Sequence, residues 1–238
     1  MEIEKLLEVP VPAMTSTYSP ISNSDIHETI LKEIKENGFE LNNVYVNSKT
    51  GRNCIVMYGL NDVLSSYVDP EIGIRVGFRN SYDKTMSFGF ALGSEVFICG
   101  NGMVSGEYTM RKKHSMRDLS QYAIELIHKY FKNVREEHNK NLEFAQELKK
   151  KEVDRNTASR LIGELFIDNK IITQAQLRKM TNEMMKSEKF KSFGTNNIIS
   201  AWDFYNHGTE ALKSSSNSSN FGRHVEYNNF FKQEFGIK

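Results

Sequence analysis

Residues 71–92 constrain this chain most. Ile72, Ile74, Val76 and Phe78 alternate with Glu71, Gly73, Arg75, Gly77 and Arg79. A period of two sends the two sets to opposite faces of a β-strand. After a turn at Asn80-Ser81-Tyr82-Asp83-Lys84, a second strand follows. There Met86, Phe88, Phe90 and Leu92 alternate with Ser87, Gly89 and Ala91. The result is a sheet with one face of large apolar groups, which a second layer must cover. Its other face carries glycine, serine, alanine and two arginines. That face reads either as ordinary solvated sheet or as a shallow, accessible platform with Arg75 and Arg79 as anion contacts.

The covering layer is legible downstream. Leu119, Tyr122, Ala123, Leu126, Ile127, Tyr130, Phe131 and Val134 trace one helical stripe. The pattern predicts a single long helix over 115–150, with Leu142, Ala145 and Leu148 as a thinner apolar line in its polar second half. Upstream, Ser22-Asn23-Ser24-Asp25 supplies N-cap chemistry, Ile26, Ile30, Leu31 and Ile34 follow at helical spacing, and Asn37-Gly38 ends the helix. Further strands are expected at 44–46, 54–58 and 95–99. Turns are expected at 47–51 and at Gly93-Ser94, and a sharp bend at Gly100-Asn101-Gly102. Three prolines, Pro10, Pro12 and Pro20, make residues 1–22 read as an extended arm.

Beyond residue 151 the pattern is helical. Helices are predicted over 156–169, 174–187, 197–213 and 224–235, with a Ser/Asn-rich loop at 214–220. The fold class is therefore α+β: an antiparallel β-sheet backed by a long helix at 23–151, then an α-helical C-terminal region at 152–238.

Composition excludes several functions. No run approaches the roughly 20 apolar residues of a membrane-spanning helix. The first residues lack the basic-then-apolar order of a secretion signal, and two cysteines make no disulfide framework. A cytoplasmic protein is expected. The six histidines, His27, His114, His128, His138, His207 and His224, show no metal-ligand spacing with cysteine or with one another. There is no nucleophile elbow and no P-loop. Asp203 and Glu210, seven apart on one helix, read as a solvated face rather than an acid pair. Cys99 reads as a small buried residue at a sheet end. The expectation is a protein that is not an enzyme and holds no cofactor.

Charge is nearly balanced, with 31 Lys+Arg against 30 Asp+Glu. The balance averages unlike parts. Residues 1–50 carry −4 and 51–110 carry −2, whereas 111–151 carry +5 and 152–238 carry +2. The basic excess begins at Arg111-Lys112-Lys113-His114. Cations at a helix entry oppose the dipole mildly, so their placement there hints at an anionic partner. With Arg75, Arg79 and Lys84 they form a candidate phosphate track, beside which Tyr82 and Tyr108 offer stacking surfaces.

The stretch 74–104 resembles the domain-of-unknown-function 932 family of phage- and plasmid-borne proteins. That family has a strand ending in an Asn-Ser-His-Asp-Gly-like turn, then a strand pair ending in Cys-x-Asn. Here the turn is Asn80-Ser81-Tyr82-Asp83-Lys84, with Tyr82 and Lys84 where the family has His and Gly. The second piece is Cys99-Gly100-Asn101-Gly102. Near the C-terminus, Ala201 to Glu210 resembles the family helix that carries Trp, an aromatic-Asn pair and Thr-Glu. The resemblance implies a mobile-element origin and brings no catalytic mechanism. The helix–strands–helix order at 24–150 is also similar in topology to phage single-strand annealing proteins.

Two functions are expected from these observations. The first is non-catalytic, phage-type binding of nucleic acid, single-stranded DNA above all, in replication or recombination. Arg75, Arg79, Lys84, Arg111, Lys112 and Lys113 would hold phosphates, Asn80 and Asn101 would shape loops or hydrogen-bond to bases, and Tyr82 would stack. A homo-oligomer would line these tracks up. The alternative is a protein-interaction module, an inhibitor of a host protein or a virion component, using Tyr227, Phe230, Phe231 and Phe235.

Overall fold

The computed structural model describes the chain except residues 66–68, 97–100, 115–117, 216–219 and 238; the side chains of 95–96, 101–112 and 220–221 also lie outside the described residues. Five strands form one sheet in sequence order: β1 (Phe39–Asn47), β2 (Asn53–Asp62), β3 (Ile72–Ser81), β4 (Phe88–Val96) and β5 (Asn101–Lys112). The β1–β2 and β2–β3 pairs are antiparallel. In the second, Val56 faces Phe78, Tyr58 faces Val76 and Leu60 faces Ile74. Register thus lines up the apolar alternation of each strand across the sheet, as the period of two requires.

Two helices cover that face. α2 (Asn23–Glu36) contributes Ile26, Ile30 and Ile34, and α3 (Leu119–Phe131) contributes Leu119, Ala123, Ile127 and Phe131. They share one core with Phe88, Phe90 and Leu92 of β4. The Ser22 hydroxyl caps α2 by accepting the Asp25 N–H, and Gly38 ends the element at φ +71°. Glu33, buried in α2, bonds to His128 of α3 and ties the two helices together.

The expected long helix is two helices. α3 stops at Phe131, and α4 (Val134–Lys149) starts after a two-residue turn at Lys132-Asn133. The break lets Arg135 donate to both Asp62 oxygens, at 2.7 and 2.9 Å, and to the Asn37 carbonyl at 2.7 Å. His128 and His138 therefore sit on different helices. The arm is also not wholly extended. It opens with α1 (Ile3–Leu7), whose Leu6 is fully buried in the same core. Gly93 and Ser94 lie inside β4 rather than in a turn, and Ser94 bonds to His138 at 3.0 Å. The segment 102–106 belongs to β5, so Arg111 and Lys112 end a strand instead of opening a helix.

Contacts divide the chain into two units, residues 1–95 with 107–138, and 96–106 with 139–238. The second is mainly helical. It holds most of α4, α5 (Arg155–Gly163) running on into a π-helical turn at 164–168, α6 (Gln174–Lys186), α7 (Ala201–Leu212) and α8 (Asn220–Phe235). A two-stranded ribbon, β6 (Glu152–Asp154) with β7 (Ile198–Ser200), precedes α5 and α7. Thr173 with Gln176 and Ser200 with Asp203 make capping boxes for α6 and α7. An aromatic core of Phe144, Phe204, Tyr205, Tyr227 and Phe231 binds α4, α7 and α8.

Candidate functional site

The β3–β4 connection is held by a dense set of side-chain hydrogen bonds. Asp83 accepts from the Ser81 hydroxyl at 2.7 Å, the Thr85 hydroxyl at 2.5 Å, the Thr85 N–H at 3.1 Å and the Asn53 amide at 3.0 Å. Burial alone would raise the Asp83 carboxyl. The bonds from Thr85, Ser81 and Asn53 outweigh it and hold the group at about 2. Lys84 follows in the left-handed region, φ +63°. A non-glycine residue pays roughly 1–2 kcal/mol to stand there.

The N-terminal arm is strapped against this turn. Thr15 and Tyr18 close a tight turn on themselves. The Tyr18 hydroxyl donates to the Ser81 carbonyl at 3.0 Å. The Ser19 N–H donates to the His114 carbonyl at 2.5 Å, and His114 Nδ1 donates to the Ser19 carbonyl at 3.1 Å. Further along, the Asn80 amide donates to the Ile21 carbonyl and to Asn23 Oδ1, both at 2.8 Å, while the Asn23 N–H donates to the Tyr82 hydroxyl at 2.8 Å.

Arm, turn and the chain after β5 enclose an open cleft of about 350 Å³. Thr17 and Tyr18 line one side, Lys84 to Ser87 another, and Lys113 with His114 the third. Lys84 Nζ lies 4.8 Å from the centre of the Tyr18 ring, and the Tyr18 and His114 rings are 5.4 Å apart. Burial pushes the Tyr18 phenol up, with the Asp83 charge adding to it. Burial also pushes the His114 imidazole below its usual range, against the bond to Ser19. With Nδ1–H given to Ser19, the ring is neutral near pH 7. Lys84 and Lys113 are exposed, and neither forms an ion pair among the described residues.

The expected site residues divide by placement. Lys84 and Lys113, 29 positions apart, come together at the cleft. Asn80 and Tyr82 are buried, at 1% and 9% exposure, and their polar groups hold the arm. At 9% exposure Tyr82 offers little surface for stacking. Arg75 and Arg79 do share the face of β3 opposite the core, but Arg79 is only 2% exposed and Arg75 is half-buried. The platform is not the shallow one expected, since Met57 lies over Gly77 and the Asn43 side chain over Gly59. Asn101, Arg111 and Lys112 are on β5, and their side chains lie outside the described residues, as do Tyr108's side chain and Cys99.

Sequence reasoning missed Tyr18 and Thr17, which sit in a proline-punctuated segment with no periodicity, and gave His114 no role of its own. The Ser19–His114 bond joins residues 95 apart, and no local pattern announces it.

Asp203 closes the α7 capping box, whereas Glu210 pairs with Lys179 and Lys213, so the two acids do not act together. Among the described residues no three His, Cys, Asp or Glu side chains converge to hold a metal. No described helix is long and apolar enough to cross a membrane. A family model described as Domain of unknown function (DUF932) matches residues 11–229. No curated protein and no solved structure matches the chain.

Proposed function

Because the chain belongs to the domain-of-unknown-function 932 family, whose description assigns no activity, we propose a function from the cleft: non-catalytic binding of nucleic acid, with preference for single strands. One observation carries the reading. Lys84 and Lys113 line a single open cleft without ion-pair partners among the described residues, and Lys84 holds a strained backbone position to be there. Residues in such conformations cluster at ligand sites because the fold must pay to keep them. Ammonium groups beside aromatic surface suit a flexible phosphate backbone. A phage- or plasmid-type role in replication or recombination, a cytoplasmic location and a homo-oligomer aligning several clefts go with this reading.

Three of the four aromatic residues that favoured a protein-interaction module are packed inside, while Phe235 is partly exposed. Tyr227 and Phe231 are fully buried, packed on Tyr205 and Phe204, and Phe230, nearly buried, packs on Phe231.

The test is a fluorescence-anisotropy titration with labelled single-stranded DNA. Binding should weaken between about 50 and 200 mM salt, with a log–log slope near −1.4 for two lysine–phosphate contacts at roughly −0.7 each. Replacing both lysines, K84E with K113E, should abolish it. Absence of binding at micromolar protein, or binding indifferent to salt, overturns the proposal.

A further inference from the structure

We propose that the cleft takes a phosphomonoester, the terminal phosphate of a nucleotide or of a single strand, in preference to an internal phosphodiester. The inference rests on the nucleic-acid reading above and narrows it from strands to ends.

Charge balance carries it. Among the described residues the side chains lining the cleft include two cations, Lys84 and Lys113, and no carboxylate. His114 adds no charge near neutral pH, because its Nδ1–H is given to Ser19 and burial disfavours a second proton. Tyr18 stays a neutral phenol, donating to Ser81. Asp83, next in sequence to Lys84, is already met by donors from Asn53, Ser81 and Thr85. Among the described residues the cleft therefore presents two ammonium groups, and the Asp83 carboxylate beside them is turned to its own donors. A terminal phosphate carries about −1.5 to −2 at pH 7, whereas each internal phosphodiester carries a single negative charge. The dianion matches the lysine pair, and the diester leaves one lysine unmet.

Size points the same way. About 350 Å³ lies at the small end of the roughly 300–1,000 Å³ range of small-ligand pockets. That is room for about one nucleotide unit among the described residues. The Thr17 and Ser87 hydroxyls line the cleft, make no hydrogen bond of their own among the described residues, and can donate to phosphate oxygens. The arm contributes Thr17 and Tyr18 and is fixed by the reciprocal Ser19–His114 bonds, so the pocket is held open before ligand arrives.

The experiment compares 3′-labelled single strands of one sequence bearing either a 5′-phosphate or a 5′-hydroxyl. Deoxyadenosine monophosphate, deoxyadenosine and inorganic phosphate serve as competitors. The phosphorylated strand should bind about tenfold more tightly, the worth of one extra charge-assisted contact. The monophosphate should displace it and deoxyadenosine should not. K84G and K113Q should each bring the ratio of the two strands close to one; K84G removes the charge at a backbone position that glycine adopts freely.

Equal affinity for both ends overturns the inference. If that equal binding still needs both lysines and weakens with salt, strand binding stands and the end preference alone fails. If the monophosphate binds in a lysine-dependent manner while no oligonucleotide does, the phosphomonoester site stands and the strand reading fails. If no phosphate compound binds, both are overturned.

Discussion

Lys84 shows how a single residue can carry opposing terms. Its left-handed backbone costs roughly 1–2 kcal/mol. Its ammonium lies over the Tyr18 ring, a contact worth about 0.5–1 kcal/mol at an exposed site. Replacement by glycine removes the strain, loses that contact, and adds about 0.5–1 kcal/mol of chain entropy to the unfolded state. These nearly cancel, so K84G should melt within a degree or two of the parent. K84V keeps the strained φ, adds a β-branched side chain that tolerates it worse, and loses the ring contact. It should lower stability by about 1–2 kcal/mol. Thermal melts of the two variants check this; a K84G protein several degrees less stable than K84V would show that residue 84 is not left-handed. The turn places residue 84 at positive φ, a conformation that glycine adopts freely. Here lysine takes it and brings a charge to the cleft.

At the scale of elements, the family-like segment of α7 is a packing device. Trp202, Tyr205, Asn206, His207, Gly208 and Thr209 are all buried. A Cβ at Gly208 would stand 1.9 Å from the Tyr227 hydroxyl and 2.4 Å from its ring, so α7 and α8 approach closely only because residue 208 has no side chain. G208A should destabilise by about 2–3 kcal/mol through overpacking, despite alanine's better helix propensity. Urea denaturation measures it, and a neutral or stabilising substitution would refute the close approach. Strands β1 to β4, the α2 cap and the α3 stripe were legible because each follows from local spacing, whereas β5 was not, since glycines and a basic run mask its alternation. The break at Lys132-Asn133 was not, since the apolar stripe runs on through Val134 and the reason for stopping is Arg135 reaching Asp62, 73 residues earlier. The cleft was half legible. Lys84 and Lys113 were visible as cations, but their meeting depends on strand register and on an arm held by Ser19 and His114. Arg79 misled the reading because alternation gives the face a side chain takes, not whether that face is covered.

Across the whole molecule, the buried and half-buried histidines set a common response to acid. Burial lowers the pKa of His27, His114 and His138 in the first unit and of His207 and His224 in the second. His224 falls furthest, to about 4, through burial and then the nearby Lys213 charge. A histidine whose folded pKa lies below its unfolded value of about 6.5 is protonated first in the unfolded chain. Its contribution to stability is complete above pH 6.5. It declines as pH falls, and is gone below the folded value. For His224 the window runs from about 6.5 to about 4, at roughly 1.4 kcal/mol per pH unit, or ~3 kcal/mol across it. The other four histidines add smaller losses in the upper part of the same window. Asp83, held at about 2, keeps its contribution down to much lower pH. Urea midpoints measured from pH 7.5 to 4 should therefore fall steadily below 6.5. H224L, which cannot take the proton, should flatten that limb by about one proton. A parent protein whose midpoint is level between pH 6.5 and 4.5, or an H224L variant with an unchanged slope, would show that His224 titrates as an exposed imidazole and that the α7–α8 core admits water.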